Sequence, residues 1–492
     1  SASSRTLTAR GVAVSAFIDL APAESGAFIY SRERDYAIYS PIMPAMEVPD
    51  NGSGAAAEEA EAVTGMNFSM DLEGASRAIQ MAVQSLAETG SVATAHGVVK
   101  GFPPQLLCDA ALSHSRDIID NGVGSGDLWA DISEGNETQF SAAGHKLVRQ
   151  FLDEKKRDHD ALCHIMFKGS NGFKASFPAV CDEIERHQRC LTAAISLVAY
   201  QEHFVSDLTG GRRSIVSEAI VSVVMSTRKW TAAKLQRCGL VAADVFYSSP
   251  SLILDLLAPL SEGVEDQKRR RLGVEEYLPI VNEAVAGMDV LVTQLAVGRE
   301  KEIVASSLVL FSPVVRKCFE SMLLAGIRAI ETASNTPGGS HLLSQKLDSV
   351  KASMGAFVWN VLLVLHHLKT ADTDAQFERV VKRVVIPLLN VGMLESAIAI
   401  GEKYFHHELL AKVCEREEEE KGEDTGRLRR YMNLPQLKAS GFPEFVYGRL
   451  LQKKDVARVL NQPEERSDDL MEYLVKHPEL SWVHAIRTER YN

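Results

Sequence analysis

The sequence contains no CxxC pair, no GK[ST] phosphate loop, no HExxH, no GxSxG and neither HRD nor DFG. It therefore lacks the short motifs by which structural zinc, nucleotide, metalloprotease, hydrolase and kinase chemistry are read from a chain. Positive charge is also short: 53 Lys and Arg stand against 65 Asp and Glu, a net charge of −12. The phosphate-neutralising attraction behind nucleic-acid binding has no global support, so no nucleic-acid partner is expected. Long apolar runs are missing as well. The longest, Ala352 to Leu365, is broken by Ser353 and Asn360 and falls short of the roughly 20 residues of a membrane helix, so it reads as a buried helix. The seven cysteines (Cys108, Cys163, Cys181, Cys190, Cys238, Cys318 and Cys414) are odd in number and scattered. Reduced thiols in a cytosolic or nuclear compartment fit them better than a disulfide framework. Sequons at Asn51, Asn67 and Asn136 come without a signal peptide, and no glycosylation is inferred.

What is present is a globular composition, 46% hydrophobic and 24% charged over 492 residues, room for two or three domains or one long helical array. Residues 1–45 read as β. Val12 to Leu20 and Ala27 to Ser40 are rich in Val, Ile, Phe and Tyr, and the second run folds back around Arg32 to Asp35 as a hairpin. A lone hairpin is not stable in water, so it is expected to be the edge of a larger β domain. Residues 46–66, with Pro49 to Gly54 followed by alanines and glutamates, read as a flexible linker.

From 67 to 492 the pattern is helical throughout. Leu72, Ala75, Ile79, Val83 and Leu86 recur at helical steps and Gly90 closes them. Pro103-Pro104 open a second run that Gly122 ends. Further helices are expected at about 140–168, 177–206, 213–237, 250–260, 273–299, 301–311, 313–333, 341–369, 374–390, 392–403 and 405–419. No fixed repeat period emerges. The expected fold is mainly α: an irregular α-helical solenoid or stack, with a short N-terminal β remnant.

Candidate sites are few, and each has a plainer reading. His406-His407-Glu408 and His366-His367 invite a metal, but adjacent side chains on a helix diverge by about 100°. Packing at a helix start is the commoner fate of such pairs. Cys181, His187 and Cys190 share a helix, yet only the last two share a face, so a partly buried Cys and a surface His are expected. Gly122 to Gly126 follows a helix, where a phosphate loop follows a strand. The Gly210-Gly211-Arg212-Arg213 turn before Ser214 could present a helix N-terminus to an anion, although an exposed turn is simpler. Asp182-Glu183 sits on an ordinary charged face. No catalytic, cofactor or metal residue is assigned, and no enzyme is expected. Two basic clusters occur, Lys268 to Arg271 and Arg427 with Arg429-Arg430. The second directly follows the acidic run Glu415 to Asp424. Glu417 to Glu420 would oppose the macrodipole of a helix C-terminus, so a solvated, frayed end is expected there, with a charge-steering patch as the alternative.

The last third carries an ordered set of packing motifs. Ala397 to Phe405 and Glu408 to Cys414 form a helix pair. Arg427 to Met432, Phe442 to Leu451, Gln452 to Pro463 and Leu470 to His484 follow, with Trp482, Ala485 and Ile486 set to pack on Phe445 and Leu450. This order resembles the nucleoporin 133/155 family, most of all its nucleoporin 133 branch, over roughly 390–485. Phe151 to Leu162 and Ile184 to Ile195 resemble its earlier helices. The acidic insert at 415–426 looks longer than the family pattern. The resemblance implies a middle segment of a scaffold subunit of the Y-shaped outer-ring complex of the nuclear pore at the nuclear envelope. Residues 1–45 would end its β-propeller, the part that meets membrane. Nucleoporin 107 would be gripped by a region beyond this chain, and neighbouring subunits or copies would be further contacts. A helical coat or tether of vesicle traffic, with the same propeller-plus-solenoid layout, is the alternative.

Overall fold

The computed structural model describes four short strands between residues 7 and 40, then 69–120, 142–168, 176–206, 214–238, 240–270, 272–296, 312–336, 340–368, 371–422, 426–460, 467–478 and 480–481. The expected linker at 46–66, the helix at 301–311, the glycine runs at 122–126 and 210–211 and the face at 482–486 lie outside the described residues. Strands β1 (Leu7–Ala9) and β2 (Val12–Val14) pair antiparallel. So do β3 (Ala27–Ser31) and β4 (Tyr36–Ser40), with Phe28 opposite Tyr39, the hairpin expected around positions 32–35. Everything else described is helical or connecting.

The helices run α1 (Leu72–Thr89), α2 (Val92–Val99), α3 (Pro104–Asp120), α4 (Ala142–Cys163), α5 (Pro178–Ser206), α6 (Ile215–Thr227), α7 (Ala232–Cys238), α8 (Ala242–Ser248), α9 (Leu257–Arg269), α10 (Val274–Ala296) and α11 (Pro313–Ser334). They continue as α12 (His341–Leu368), α13 (Ala371–Val380), α14 (Ile386–Asn390), α15 (Leu394–Tyr404), α16 (His407–Lys421), α17 (Arg427–Asn433), α18 (Pro435–Ala439), α19 (Phe442–Gln452), α20 (Val456–Leu460) and α21 (Ser467–Val475). Local chemistry sets many of the ends. Asp71 caps α1 by accepting the Gly74 N–H at 2.8 Å, and Gly90 closes it at φ 68°. Ser312 caps α11 with Pro313 at its first position.

Proline explains two irregularities. The single helix expected at 374–390 widens into a π turn at Val381–Val385 just before Pro387. A proline ring clashes with the carbonyl four residues back, and a wider turn relieves that clash. Pro279 lies inside α10, where it leaves the Glu275 carbonyl without its helical donor. Lys346 of α12 supplies one, its Nζ 3.0 Å from that oxygen. The helix expected at 213–237 is two, α6 and α7, parted at Lys229, which adopts φ 53°.

Cα packing divides the chain into two compact units, residues 1–114 with 161–174, and residues 115–160 with 175–492. In the first, α1 packs on α2 through Ala75, Ala78, Ile79, Ala82, Ala95 and Val98, all buried. The His96 ring also contacts the Ile165 carbonyl at 3.1 Å. In the second, one large core runs from Ile119 to Val413, and a smaller one gathers Leu410, Tyr431, Phe442, Tyr447 and Tyr473.

The most extensively packed helix pair of the large core is α10 with α12. By length and composition His341–His367 is long and apolar enough to cross a bilayer, which the sequence reading of a shorter apolar run had not allowed for. Its Met354, Phe357, Val358, Val361 and Leu362 are buried within the protein core. Its two polar interruptions are bonded across the helix pair. Ser353 donates to Asn282 Oδ1 at 2.8 Å, and Asn360 donates to Asp289 Oδ1 at 2.7 Å and to Thr293 Oγ1 at 3.0 Å. Gly326 of α11 faces Met354 so closely that a Cβ there would meet its thioether, and the methionine end would have to shift to admit one.

Candidate functional site

The structure moves His187 from the surface, where its spacing had put it, into the core. The ring is 3% exposed, and Cys181 and Cys190 on the same helix are fully buried. Three histidine and serine atoms meet there: Ser115 Oγ lies 2.7 Å from His187 Nδ1 and 2.8 Å from His159 Nε2. Glu183, one turn back on α5, sits 3.5 Å from His187 Nε2. Serine, histidine and a carboxylate are the residue types of a hydrolase triad. Here the serine is fully buried within α3, and neither described cavity of the chain includes it. The hydroxyl instead links three helices, its proton and lone pairs taken up by two rings. Burial pushes the His187 pKa down to about 4, partly offset by the Glu183 charge.

That shift has a sign. Below about pH 6.5 the unfolded chain protonates this ring while the native one does not, so stability is complete above pH 6.5 and falls as pH drops toward 4. His187→Asn, which keeps a hydrogen-bonding group near Nδ1, should flatten that limb relative to the parent. Denaturant midpoints compared between pH 7 and pH 4.5 test this; parallel curves for both proteins would disprove it.

Lys155 is a second buried polar group, unmarked in the sequence. It lies 6% exposed, donating to the Ile119 carbonyl at 2.9 Å and the Ser248 carbonyl at 2.8 Å. Those are terminal carbonyls of α3 and α8, which lack helical donors. Burial lowers its pKa to about 8, with Asp120 acting the other way.

The anion position at the start of α6 is filled by the protein itself. Glu283 of α10, 1% exposed, accepts from Ser214 Oγ and from the Val216 N–H at 3.2 Å. Ser214 meanwhile accepts from the Ser217 N–H at 3.1 Å. An internal carboxylate at a helix N-terminus gains both donors and the favourable end of the dipole.

The paired histidines pack as helix-end residues. His406 caps α16, its Nδ1 accepting from the Leu409 N–H at 3.2 Å, while Nε2 faces Glu378 at 3.2 Å. His407 Nε2 contacts Ser440 Oγ at 2.8 Å, its ring edging Phe442 and Phe445. His366 packs at a tilt against Tyr404 at 4.8 Å and near Phe377 at 5.9 Å, and His406 reaches the same Phe377. His367 turns back to the Leu363 carbonyl of its own helix, and Glu408 pairs with Lys412. Among the described residues no three His, Cys, Asp or Glu converge as a metal site would require.

The motif-bearing C-terminal helices hold a charged seam. Glu415 is gripped by Arg449 Nε and Nη2, at 2.6 and 3.0 Å, and by Lys453 at 2.8 Å. Glu417, 3% exposed, meets Arg427 at 2.6 Å, and Glu418 meets Arg458 at 2.6 Å. The expected frayed end is thus a full helix to Lys421, closed by Gly422 at φ 69°. Cations from three later helices offset the unfavourable dipole, and the basic partner is internal. Among the described residues Glu419 and Glu420 pair locally, on Arg416. The helix pair before the seam depends on Gly401, where a Cβ would fall 2.7 Å from Leu410 Cδ2, and on Phe405 turning at φ 50°.

These groups join helices to one another through buried polar contacts and a salt-bridged seam. No family model matches the chain. Over 103 residues it is 31% identical to the nuclear pore complex protein Nup133 of mouse and to that of human, which is 21% of this chain and 8% of each relative. Against the zebrafish Nup133 the figures are 30% over 105 residues, 21% of this chain and 9% of the relative. The match thus spans less than a tenth of the length of these relatives.

Proposed function

We propose that this chain is a segment of a nucleoporin 133-like scaffold subunit of the nuclear pore complex, acting at the nuclear envelope through rigid helical packing and without catalysis. The identity to Nup133 proteins carries the reading. The helical stack supports it, since the polar groups that might have done chemistry are spent joining helices. In this proposal residues 1–45 belong to a β-propeller and 46–66 link it to the stack. Partners in this proposal are other pore-scaffold subunits, nucleoporin 107 among them. The role is support of pore assembly and of nucleocytoplasmic transport.

The test is the location of the tagged full-length protein in its own cells. A punctate nuclear rim coincident with pores, and fewer pores on depletion, is the expected result. Labelling of vesicles or Golgi membranes with pores unaffected would replace this reading with a coat or tether of vesicle traffic.

A further inference from the structure

The basic run beginning at Lys268 lies at the end of α9, and two clefts open beside the following residue, Leu272. The larger, about 370 Å³ between α6, α9 and α10, includes Arg270 but also Glu218 and Glu276. Its positive charge is answered by the chain's own carboxylates. The smaller, about 210 Å³ between α9, α10 and α11, is different. Its floor is Leu272, Val274, Ala325 and Ala329, and its rim carries Lys268 and Arg328 with no carboxylate among the lining residues. Both cations are exposed and form no ion pair among the described residues, whereas neighbouring Arg269 is held by Asp266 at 2.9 Å. Tyr277 also lines the cleft, and its hydroxyl makes no hydrogen bond among the described residues. Glu265 acts on that phenol from α9 and Arg328 opposes it from α11.

We propose that this cleft docks an acidic peptide segment of a partner protein, seating an aromatic side chain on the Leu272–Ala329 floor and its carboxylates on Lys268 and Arg328. An apolar cavity of about 150 Å³ admits a benzene ring, so 210 Å³ holds one aromatic side chain. Two cations at the mouth favour a ring through their attraction to its face. The unbonded phenol supplies a donor for a peptide carbonyl or carboxylate. Two rim cations outside any described ion pair, with no carboxylate in the lining, favour an acidic ligand over a basic one. A recessed floor between three helices suits an inserted side chain better than a bilayer, which needs a projecting apolar face. The inference does not rest on the pore-scaffold reading, and either can fail alone.

The probe is a fluorescein-labelled peptide with one phenylalanine flanked by three glutamates on each side, titrated with the full chain by fluorescence anisotropy. Binding should weaken about tenfold when alanine replaces the phenylalanine, and at least as much in the Lys268→Glu, Arg328→Glu double variant. Affinity should fall with added salt, as rim charges are screened over about 10 Å at 0.1 M. Arg269→Glu, one residue outside the cleft, should stay within about twofold of the parent. Circular dichroism of the double variant should match the parent, since both side chains are exposed. Equal loss in Arg269→Glu, indifference to the phenylalanine, or no binding at about 1 mM protein would each overturn the proposal. So would binding only to phosphatidylserine vesicles that the double variant abolishes, an outcome assigning the cations to a membrane surface.

Discussion

Arg427→Met is expected to destabilise the C-terminal helices by roughly 3–5 kcal/mol, the usual cost of stranding one member of a buried ion pair. Glu417 is the member left behind, with 3% of its side chain exposed. Its charge would then lie on the core side of α16, near Cys414, whose thiol burial already pushes up to about 12. Amide exchange at 407–460 should accelerate first, because the seam lies there. Adding Glu417→Leu to Arg427→Met should recover most of the loss, since an apolar pair of similar volume carries no desolvation penalty. If the double variant is no better than Arg427→Met alone, the pair is not what holds these helices.

Glu283→Ala should be comparably severe, about 3–5 kcal/mol. It strands two donors, Ser214 Oγ and the Val216 N–H, each costing about 1–3 kcal/mol when buried and unmade, and it opens a cavity beneath α6. Glu283→Gln retains an acceptor oxygen while losing the charge, so its cost should be nearer 1 kcal/mol, the worth of a charge at a helix end. Urea midpoints of the two variants separate the contributions. Equal destabilisation by Gln and Ala would mean that the charge, and not the acceptor, is what α6 requires.

Both results concern contacts the sequence could not display, and this marks where its legibility stopped. Apolar steps such as Leu72, Ala75, Ile79 and Val83, with Gly90 and Pro104 as punctuation, are local signals, and they located α1 and α3 closely. The same signals placed α5, α11 and α12 within a residue or two. The short α2 and α8 carry too few turns for a periodic pattern and were not foreseen. Polar residues gave the wrong account most often. His187 reads as a surface residue on its own helix because Ser115, which satisfies it, lies 72 positions away. Glu417 reads as part of a repelling run because Arg427, Arg449 and Arg458 arrive from three different helices. A titratable side chain is buried only when a distant partner makes burial tolerable, and a single sequence does not show who that partner is. The histidine pairs sit at helix ends, and the meeting of His366 and His406 on Phe377 has no sign in the sequence.

The hydrogen bonds between α10 and α12 have a mechanical meaning. Asn282 and Asp289 are seven residues apart on α10, as are Ser353 and Asn360 on α12, so the same polar rung recurs every two turns. Each rung also reaches one turn along, Asn282 to Ser349 Oγ and Asn360 to Thr293 Oγ1, both at 3.0 Å. A slide of part of a turn, a fraction of about 5.4 Å, stretches all of these bonds together at about 1 kcal/mol for each one lost. Small shear is therefore opposed, and the next register in which polar groups meet is a whole turn away. Tilting about the shared axis strains the rungs far less. A rod built this way resists shear under load while still yielding to bending, as the pair of rails in a ladder does.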